Sequence, residues 1–200
     1  MANDFYRFNF MLGIRRPLSK EGLKRIIGGI DYFRCLEDPL VFNNLELEHG
    51  LNLLDIGSGA SIFPLFASSK GISVWATDID NRVLKLGETA EKLGIINFRA
   101  EIQDARNLLY SDDYFDRVSA ISTLEHIPND GDSMAVKEMS RVLKNGGSMV
   151  ITVPYGSFEE ERQRSVAYFQ RVYTEEDIYE RLIEPSGLDV VKIEYFGEAK

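Results

Sequence analysis

Two hundred residues, 44% hydrophobic and 28% charged, suit one globular domain able to bury a sizeable core. The net charge of −9 argues against broad binding to nucleic acid or anionic membranes, and no apolar run approaches the ~20 residues that a bilayer span needs. A lone cysteine, Cys35, makes no internal disulfide, and the start lacks a basic-then-apolar secretory layout, so a buried structural thiol in a reducing cytoplasm is expected.

Residues 1–50 carry seven basic and seven acidic groups, so the excess of −9 lies beyond them. Near the start, Phe5, Tyr6, Phe8, Phe10, Met11 and Leu12 form an apolar cluster ended by Arg15, Arg16 and Pro17. Leu23, Ile26, Ile27 and Ile30 recur at helical spacing, weakened by Gly28 and Gly29. A second apolar stripe runs over Tyr32 to Leu45, and Pro39 begins or kinks its helix. Residues 1–45 thus read as an N-terminal helical cap or lid, and 46–200 as the main domain.

From residue 50 the pattern becomes regular. Leu51–Ile56 reads as a buried strand, Ser61–Ser69 as a helix with Pro64 in its first turn, and Ile72–Thr77 as a second strand. Asn81–Leu93 reads as a helix closed by Gly94, Ile96–Ala100 as a third strand and Asp116–Ser122 as a fourth. Asp132–Val142 is helical; Lys144-Asn145-Gly146-Gly147 reads as a turn before a fifth strand, Ser148–Val153. A helix over Glu175–Ile183, closed by Pro185-Ser186-Gly187, precedes a sixth strand, Leu188–Tyr195. Such alternation implies an α/β fold: a Rossmann-like, doubly wound, mostly parallel sheet with helices on both faces.

Ligands in these sheets bind beyond the C-terminal strand ends. Asp55, Asp78, Asp104 and Ser122 all fall at such ends or just past them. Between the first two lies a glycine-rich turn, Gly57-Ser58-Gly59, which lets backbone approach a ligand closely and opens a helix whose N-terminus suits an anionic group. Asp78 follows Asp55 by 23 residues, the spacing at which a carboxylate grips both hydroxyls of a ribose. A nucleoside cofactor is indicated. The third small residue of a dinucleotide fingerprint is absent: Ile62 stands there and would hinder a pyrophosphate.

Leu54-Asp55-Ile56-Gly57-Ser58-Gly59, Ala76-Thr77-Asp78-Ile79-Asp80 and Gln103-Asp104-Ala105 together resemble the class I S-adenosylmethionine-dependent methyltransferases. So do Tyr114-Phe115-Asp116-Arg117-Val118, Leu124-Glu125-His126-Ile127 and Arg141-Val142-Leu143-Lys144-Asn145-Gly146-Gly147, in the same order and spacing. The resemblance runs from about Tyr32 to Phe196. It implies S-adenosyl-L-methionine as cofactor, with Gly57, Ser58 and Gly59 passing its methionine part and Asp55 orienting that loop and the amino group. It further implies Asp78 on the ribose, Ile79 on the adenine face, Asp104 and the Ala105 N–H on the adenine edge, and Ser122 and Thr123 near the sulfonium. The family's sheet has seven strands; here six are expected and the sixth is followed almost at once by Lys200, so either the sequence is cut short before a seventh or the sheet closes differently, and an edge open to pairing with a second copy in a homodimer is the expectation.

Methyl transfer from a sulfonium needs chiefly alignment and exclusion of water; a general base helps when the acceptor carries a proton. His126 is the histidine near the presumed edge and so the candidate base, although packing or capping would explain it equally. The Leu124-Glu125-His126 string resembles quinone-biosynthesis O-methyltransferases, some of which add a metal through an upstream carboxylate. Ser122 stands at that position, so no metal is expected. The acceptor, a small molecule, is expected between residues 1–35 and an insert over residues 155–173, whose Tyr155, Phe158, Tyr168, Phe169 and Tyr173 lie among Arg162, Arg164 and Arg171; an amphipathic cover helix would explain the same pattern. Two other functions stay open: a catalytically silent module binding the cofactor or a protein partner, and an NAD-dependent oxidoreductase.

Overall fold

The computed structural model describes residues 32–156 and 169–196, with side chains from Glu37 onward. The aromatic cluster of residues 5–12, the first expected helix, the Cys35 thiol and most of the 155–173 insert lie outside the described residues. In chain order the elements are α1 (Tyr32–Asn44), β1 (Asn52–Ile56), α2 (Phe63–Ser69), β2 (Ser73–Asp78), a 3₁₀ turn (Asn81–Val83) running into α3 (Leu84–Leu93), and β3 (Phe98–Ile102). Then come β4 (Phe115–Ile121), a 3₁₀ turn (Leu124–His126), α4 (Gly131–Val142) and β5 (Leu143–Thr152). The last helix, α5, starts as Glu175–Asp177, widens to a π-helix over Ile178–Ile183 and closes as Glu184–Ser186.

The strands form a five-stranded sheet in the order β3-β2-β1-β4-β5, every pair parallel. The chain winds outward from β1 to β3, then crosses to the other side of β1. The reversal therefore falls between β1 and β4, the place where such sheets leave a crevice beyond their C-terminal ends. Side-chain alternation assigns the two faces. Leu54, Ile56, Val118 and Ala120 pack with Ala135, Val136, Met139 and Val142 of α4. Leu53, Val74 and Ile121 pack on the opposite face with Val41 and Phe42 of α1, Leu45 just past it, and Phe63 and Phe66 of α2. The four inward residues of α4 are completely buried, and each large one contributes about 1.5–3 kcal/mol by leaving water.

Helix ends follow local chemistry. The Ser61 hydroxyl accepts the Phe63 N–H at 3.2 Å, and Pro64 needs no partner for a missing donor. Gly94 and Gly187 close α3 and α5 in the left-handed conformation. Thr174 and Asp177 form a reciprocal capping box at the start of α5. Arg141 of α4 braces the β3–β4 connection, donating to the carbonyls of Leu108 (3.0 Å) and Tyr110 (2.8 Å) and pairing with Glu138 and Asp112.

Three expectations need correction. Among the described residues the sheet has no sixth strand: residues 188–196 run irregularly and exposed, with Val191 96% accessible. Their alternating apolar pattern suits a strand, but a ladder also needs a neighbouring edge. This segment instead makes side-chain contacts, Tyr155 with Tyr195 and Asn44 with Glu194. The expected turn Lys144–Gly147 lies inside β5 as a large bulge, because Leu143 already pairs with Phe115 while Ser148 pairs with Arg117. Finally, β3 begins at Phe98 rather than Ile96, whose side chain is 97% exposed while Phe98 and Ala100 pack inward.

Candidate active site

The loop after β1 is held by a buried carboxylate. Asp55 points into the protein, 2% exposed, and accepts hydrogen bonds from the hydroxyls of Ser58 (2.6 Å) and Ser119 (2.7 Å). The Ser58 N–H donates to the Thr77 carbonyl, and the Thr77 hydroxyl donates to the Asp55 carbonyl, tying the turn to β2. Gly57 and Gly59 both have positive φ, 69° and 49°. At Gly57 a Cβ would also collide with the Thr123 side chain, whose hydroxyl donates within reach of the Ile56 and Ile121 carbonyls. Thr123 therefore latches the turn after β4 onto the turn after β1.

Asp78 ends β2, half-buried. Its Oδ2 accepts the Gly59 N–H and its Oδ1 the Asp80 N–H, each at 2.8 Å. The carboxylate is thus aimed and braced at the rim, with Ile79 beside it 69% exposed. Asp104 lies just past the adjoining β3, where the Gln103 N–H donates to the Asp78 carbonyl. Its carboxylate takes the Arg106 guanidinium through Nε and Nη2 (2.9 and 2.6 Å) and the Arg106 N–H (2.9 Å), with Ala105 between them. The Arg106 hydrogen bonds hold the Asp104 carboxyl below the usual carboxylate range, against a smaller opposing effect of burial.

After β4, Ser122 adopts a positive φ of 46°, rare for a side chain other than glycine, asparagine or aspartate. Its N–H donates to both the carbonyl and the hydroxyl of Thr152, at 3.1 and 3.0 Å. Its own hydroxyl donates to Glu37 Oε1 of α1 at 2.8 Å. His126 places Nδ1 3.1 Å from the Phe169 carbonyl and Nε2 3.7 Å from Glu125 Oε1. A carbonyl only accepts, so Nδ1 carries the proton and Nε2 is the basic nitrogen in the neutral ring.

Beneath this turn Asp132 is completely buried. It accepts hydrogen bonds from Arg171, from Arg181 through Nε (2.9 Å) and Nη2 (2.7 Å), and from the Tyr173 hydroxyl (2.9 Å). Both guanidinium groups also reach the Asn129 carbonyl. Burial pushes the Asp132 carboxyl up, but the Arg181 hydrogen bonds and the Arg171 charge outweigh it and leave it lowered. Arg171, one of the arginines of the 155–173 insert, directs its side chain to Asp132 and the rings of Phe169 and Tyr173.

Glu37, Thr152 and the Asp132 hub escaped the sequence reading. A signal existed for the first: Glu37 sits four residues before Val41 and eight before Leu45, on the stripe that α1 buries. The hub joins three segments distant in sequence and leaves no local trace.

Residues 54–151 match a family model described as "Methyltransferase domain". Residues 54–151 belong to the class I S-adenosylmethionine-dependent methyltransferase family. The chain is 28% identical over 163 residues to the methyltransferase GfsG of Streptomyces halstedii, covering 76% of this chain and 58% of that one. It is 35% identical over 105 residues to the ubiquinone/menaquinone biosynthesis C-methyltransferase UbiE of Bordetella avium, covering 51% of this chain and 40% of the relative. The chain thus spans about half the length of these curated relatives. Among solved structures, YcgJ of Bacillus subtilis superposes with a TM-score of 0.56 at 26% identity, over 62% of this chain and 52% of that one. A SAM-dependent methyltransferase from Aquifex aeolicus superposes with a TM-score of 0.60 at 21% identity, over 78% and 82% of the two chains, a likeness of fold.

The residues present fit the family's cofactor. A braced carboxylate at the end of β2 suits a vicinal diol, and the exposed Ile79 beside it suits an aromatic face. The turn after β1 suits a dinucleotide less. Ile62 is buried where a small residue would let a pyrophosphate approach, Pro64 lacks a donor, and Ser61 occupies the Phe63 N–H.

Proposed function

We propose that this chain binds S-adenosylmethionine across the C-terminal ends of β1, β2 and β4 and transfers its methyl group in line to a small-molecule acceptor. The observation that carries the reading is the Asp78 carboxylate, held at the rim by the Gly59 and Asp80 N–H groups. Its outward lone pairs would accept both ribose hydroxyls, Ile79 would cover the adenine, and the Ala105 N–H would meet the adenine edge. Gly57 and Gly59 would let the methionine part lie along the backbone, while Asp55 keeps Ser58 and the loop in shape. The cofactor, when bound, supplies an electrophilic methyl group. The chain's own contribution is then alignment and exclusion of water.

The acceptor would approach from the side of Ser122, Thr123 and His126, with the 155–173 insert as cover. His126 is the proposed base for a protic acceptor, through Nε2, since Nδ1 is committed to the Phe169 carbonyl. A small-molecule acceptor is supported by the ubiquinone/menaquinone methyltransferases among its relatives. The second reading, a silent cofactor-binding module, is favoured by His126 having both ring nitrogens turned toward protein oxygens. Calorimetric titration of the purified chain with S-adenosylmethionine and with NAD tests the proposal. Binding of the former alone is expected; binding of NAD alone, or of neither, ends it. Release of S-adenosylhomocysteine across a panel of quinol, phenol and amine acceptors separates enzyme from silent module.

A further inference from the structure

We propose that Asn145 and Gly146, in the bulge of β5, form a site of spontaneous covalent modification, where the asparagine cyclises onto the following amide and opens to aspartate or isoaspartate. The inference is independent of the cofactor reading. This is the one place in the sequence where asparagine precedes glycine. Asparagine is among the thermolabile residues, and a glycine without Cβ leaves its own amide nitrogen unscreened.

Such a pair reacts only where the backbone is free to turn. In a regular ladder the strand is held extended and its amide nitrogens are committed to a neighbour. Here Leu143 pairs with Phe115 and the next pair is Ser148 with Arg117, so residues 144–147 stand opposite Asp116 alone. Asn145 and Gly146 are both exposed. Gly146 has a φ of 76°, and nothing lies within 4 Å of the point where its Cβ would stand. That leaves room for a ring and for the water that opens it. The rest of the bulge is fixed: Gly147 is crowded by Leu143 and the Asp116 carbonyl, and Lys144 pairs with Asp116 at 2.7 Å. Asp130-Gly131, where the same ring could form, provides a contrast within the chain. There the Gly131 N–H donates to the Pro128 carbonyl at 3.1 Å, and the residue is buried at the start of α4 against Ile127.

The chemistry needs only water. The Gly146 nitrogen gives up its proton and attacks the Asn145 side-chain carbonyl carbon. A carbon–nitrogen bond forms, the bond to the side-chain nitrogen breaks, and that nitrogen leaves as ammonia with the proton. The attack is intramolecular, so proximity supplies much of what an enzyme otherwise would. Water then opens the cyclic imide and returns a hydrogen to the Gly146 nitrogen. Opening at the side-chain carbonyl gives aspartate in the original chain. Opening at the main-chain carbonyl gives isoaspartate, whose backbone runs through the former side chain and is longer by one carbon. Nothing is oxidised or reduced. The net charge of −9 gains one further negative unit, on the residue that follows Lys144, the partner of Asp116.

Peptide mapping by mass spectrometry tests this on the full chain, held native at alkaline pH in water enriched in the heavy oxygen isotope and then digested in ordinary water. The peptide containing residue 145 should split into two chromatographic forms, each with one heavy oxygen, while the peptide containing Asn129, Asp130 and Gly131 stays unlabelled. Native protein should convert within about tenfold of the rate of the same chain in guanidinium, because a bulge outside the ladder needs little opening. Asn145→Gln, whose longer side chain closes a ring far more slowly, should lose the label. A native rate more than about tenfold below the unfolded one, label that persists in Asn145→Gln, or equal labelling at Asp130 overturns the proposal. No cofactor or acceptor enters the assay, so failure of the functional reading leaves its result unaffected.

Discussion

Replacing Asp78 with alanine tests the cofactor reading most directly. The carboxylate receives the Gly59 and Asp80 N–H groups at 2.8 Å each and presents its remaining lone pairs at the rim. Hydrogen bonds to a charged group contribute about 1.5–3 kcal/mol each. Loss of the two proposed ribose contacts therefore costs about 3–6 kcal/mol, a weakening of S-adenosylmethionine of about a hundredfold or more. The two N–H groups lie on half-buried backbone where water replaces part of what is lost, so the fold loses only about 1 kcal/mol. For a domain of this size that lowers the melting temperature by about 2–4 °C. Calorimetric titration beside a thermal melt separates the two effects. Asp78→Asn, which keeps one acceptor, should fall between, near tenfold. If Asp78→Ala melts normally and binds within about threefold of wild type, the ribose assignment is wrong and the cofactor lies elsewhere.

Other expectations bear on the scaffold. Asp132→Ala would leave the half-buried guanidinium groups of Arg171 and Arg181 without their shared acceptor, at a cost of about 3 kcal/mol in urea unfolding; a loss below about 1 kcal/mol would show the hub to be dispensable. Gly57→Ala combines a left-handed φ with a collision against Thr123, and should cost about 2 kcal/mol or more, of which Thr123→Gly in the same chain recovers only the steric part. Among the carboxyls that sit below their ordinary range when folded are Asp116, where burial is outweighed by the Lys144 and Asn52 hydrogen bonds together with the Lys144 charge; Asp132; and Glu138, held down by Arg141. Their stabilisation is complete above the unfolded values near 4 and is lost as pH falls through the folded ones. The urea midpoint should thus be nearly level from about pH 7 to 5 and drop below about pH 4. A midpoint that rises between pH 5 and 3 would contradict the ion-pair assignments.

The strand–helix alternation and the aspartates at strand ends were legible because both are local. Side chains alternate every residue along a strand, and parallel winding sends every strand's C-terminus to one edge, so Asp55, Asp78, Asp104 and Ser122 converge whatever the details of packing. The glycines of the β1 turn were legible for a related reason: positive φ leaves few alternatives to glycine. Local pattern also named the segment 188–195 as a strand, and there it misled. Propensity describes how a segment would lie against a neighbouring edge, and only the assembled chain shows whether one is paired with it.

What required the tertiary structure was the partner of each charge. Asp104 and Arg106 are close in sequence, yet nothing in the order of residues announced that their side chains would meet. Glu37 meets Ser122 across 85 positions, and Arg181 meets Asp132 across 49. Hydrophobic burial chooses the fold through many weak, interchangeable contacts, and these leave a periodic trace in the sequence. An ion pair or a hydroxyl–carboxylate contact depends on two particular atoms arriving within about 3 Å, which one chain position cannot encode alone.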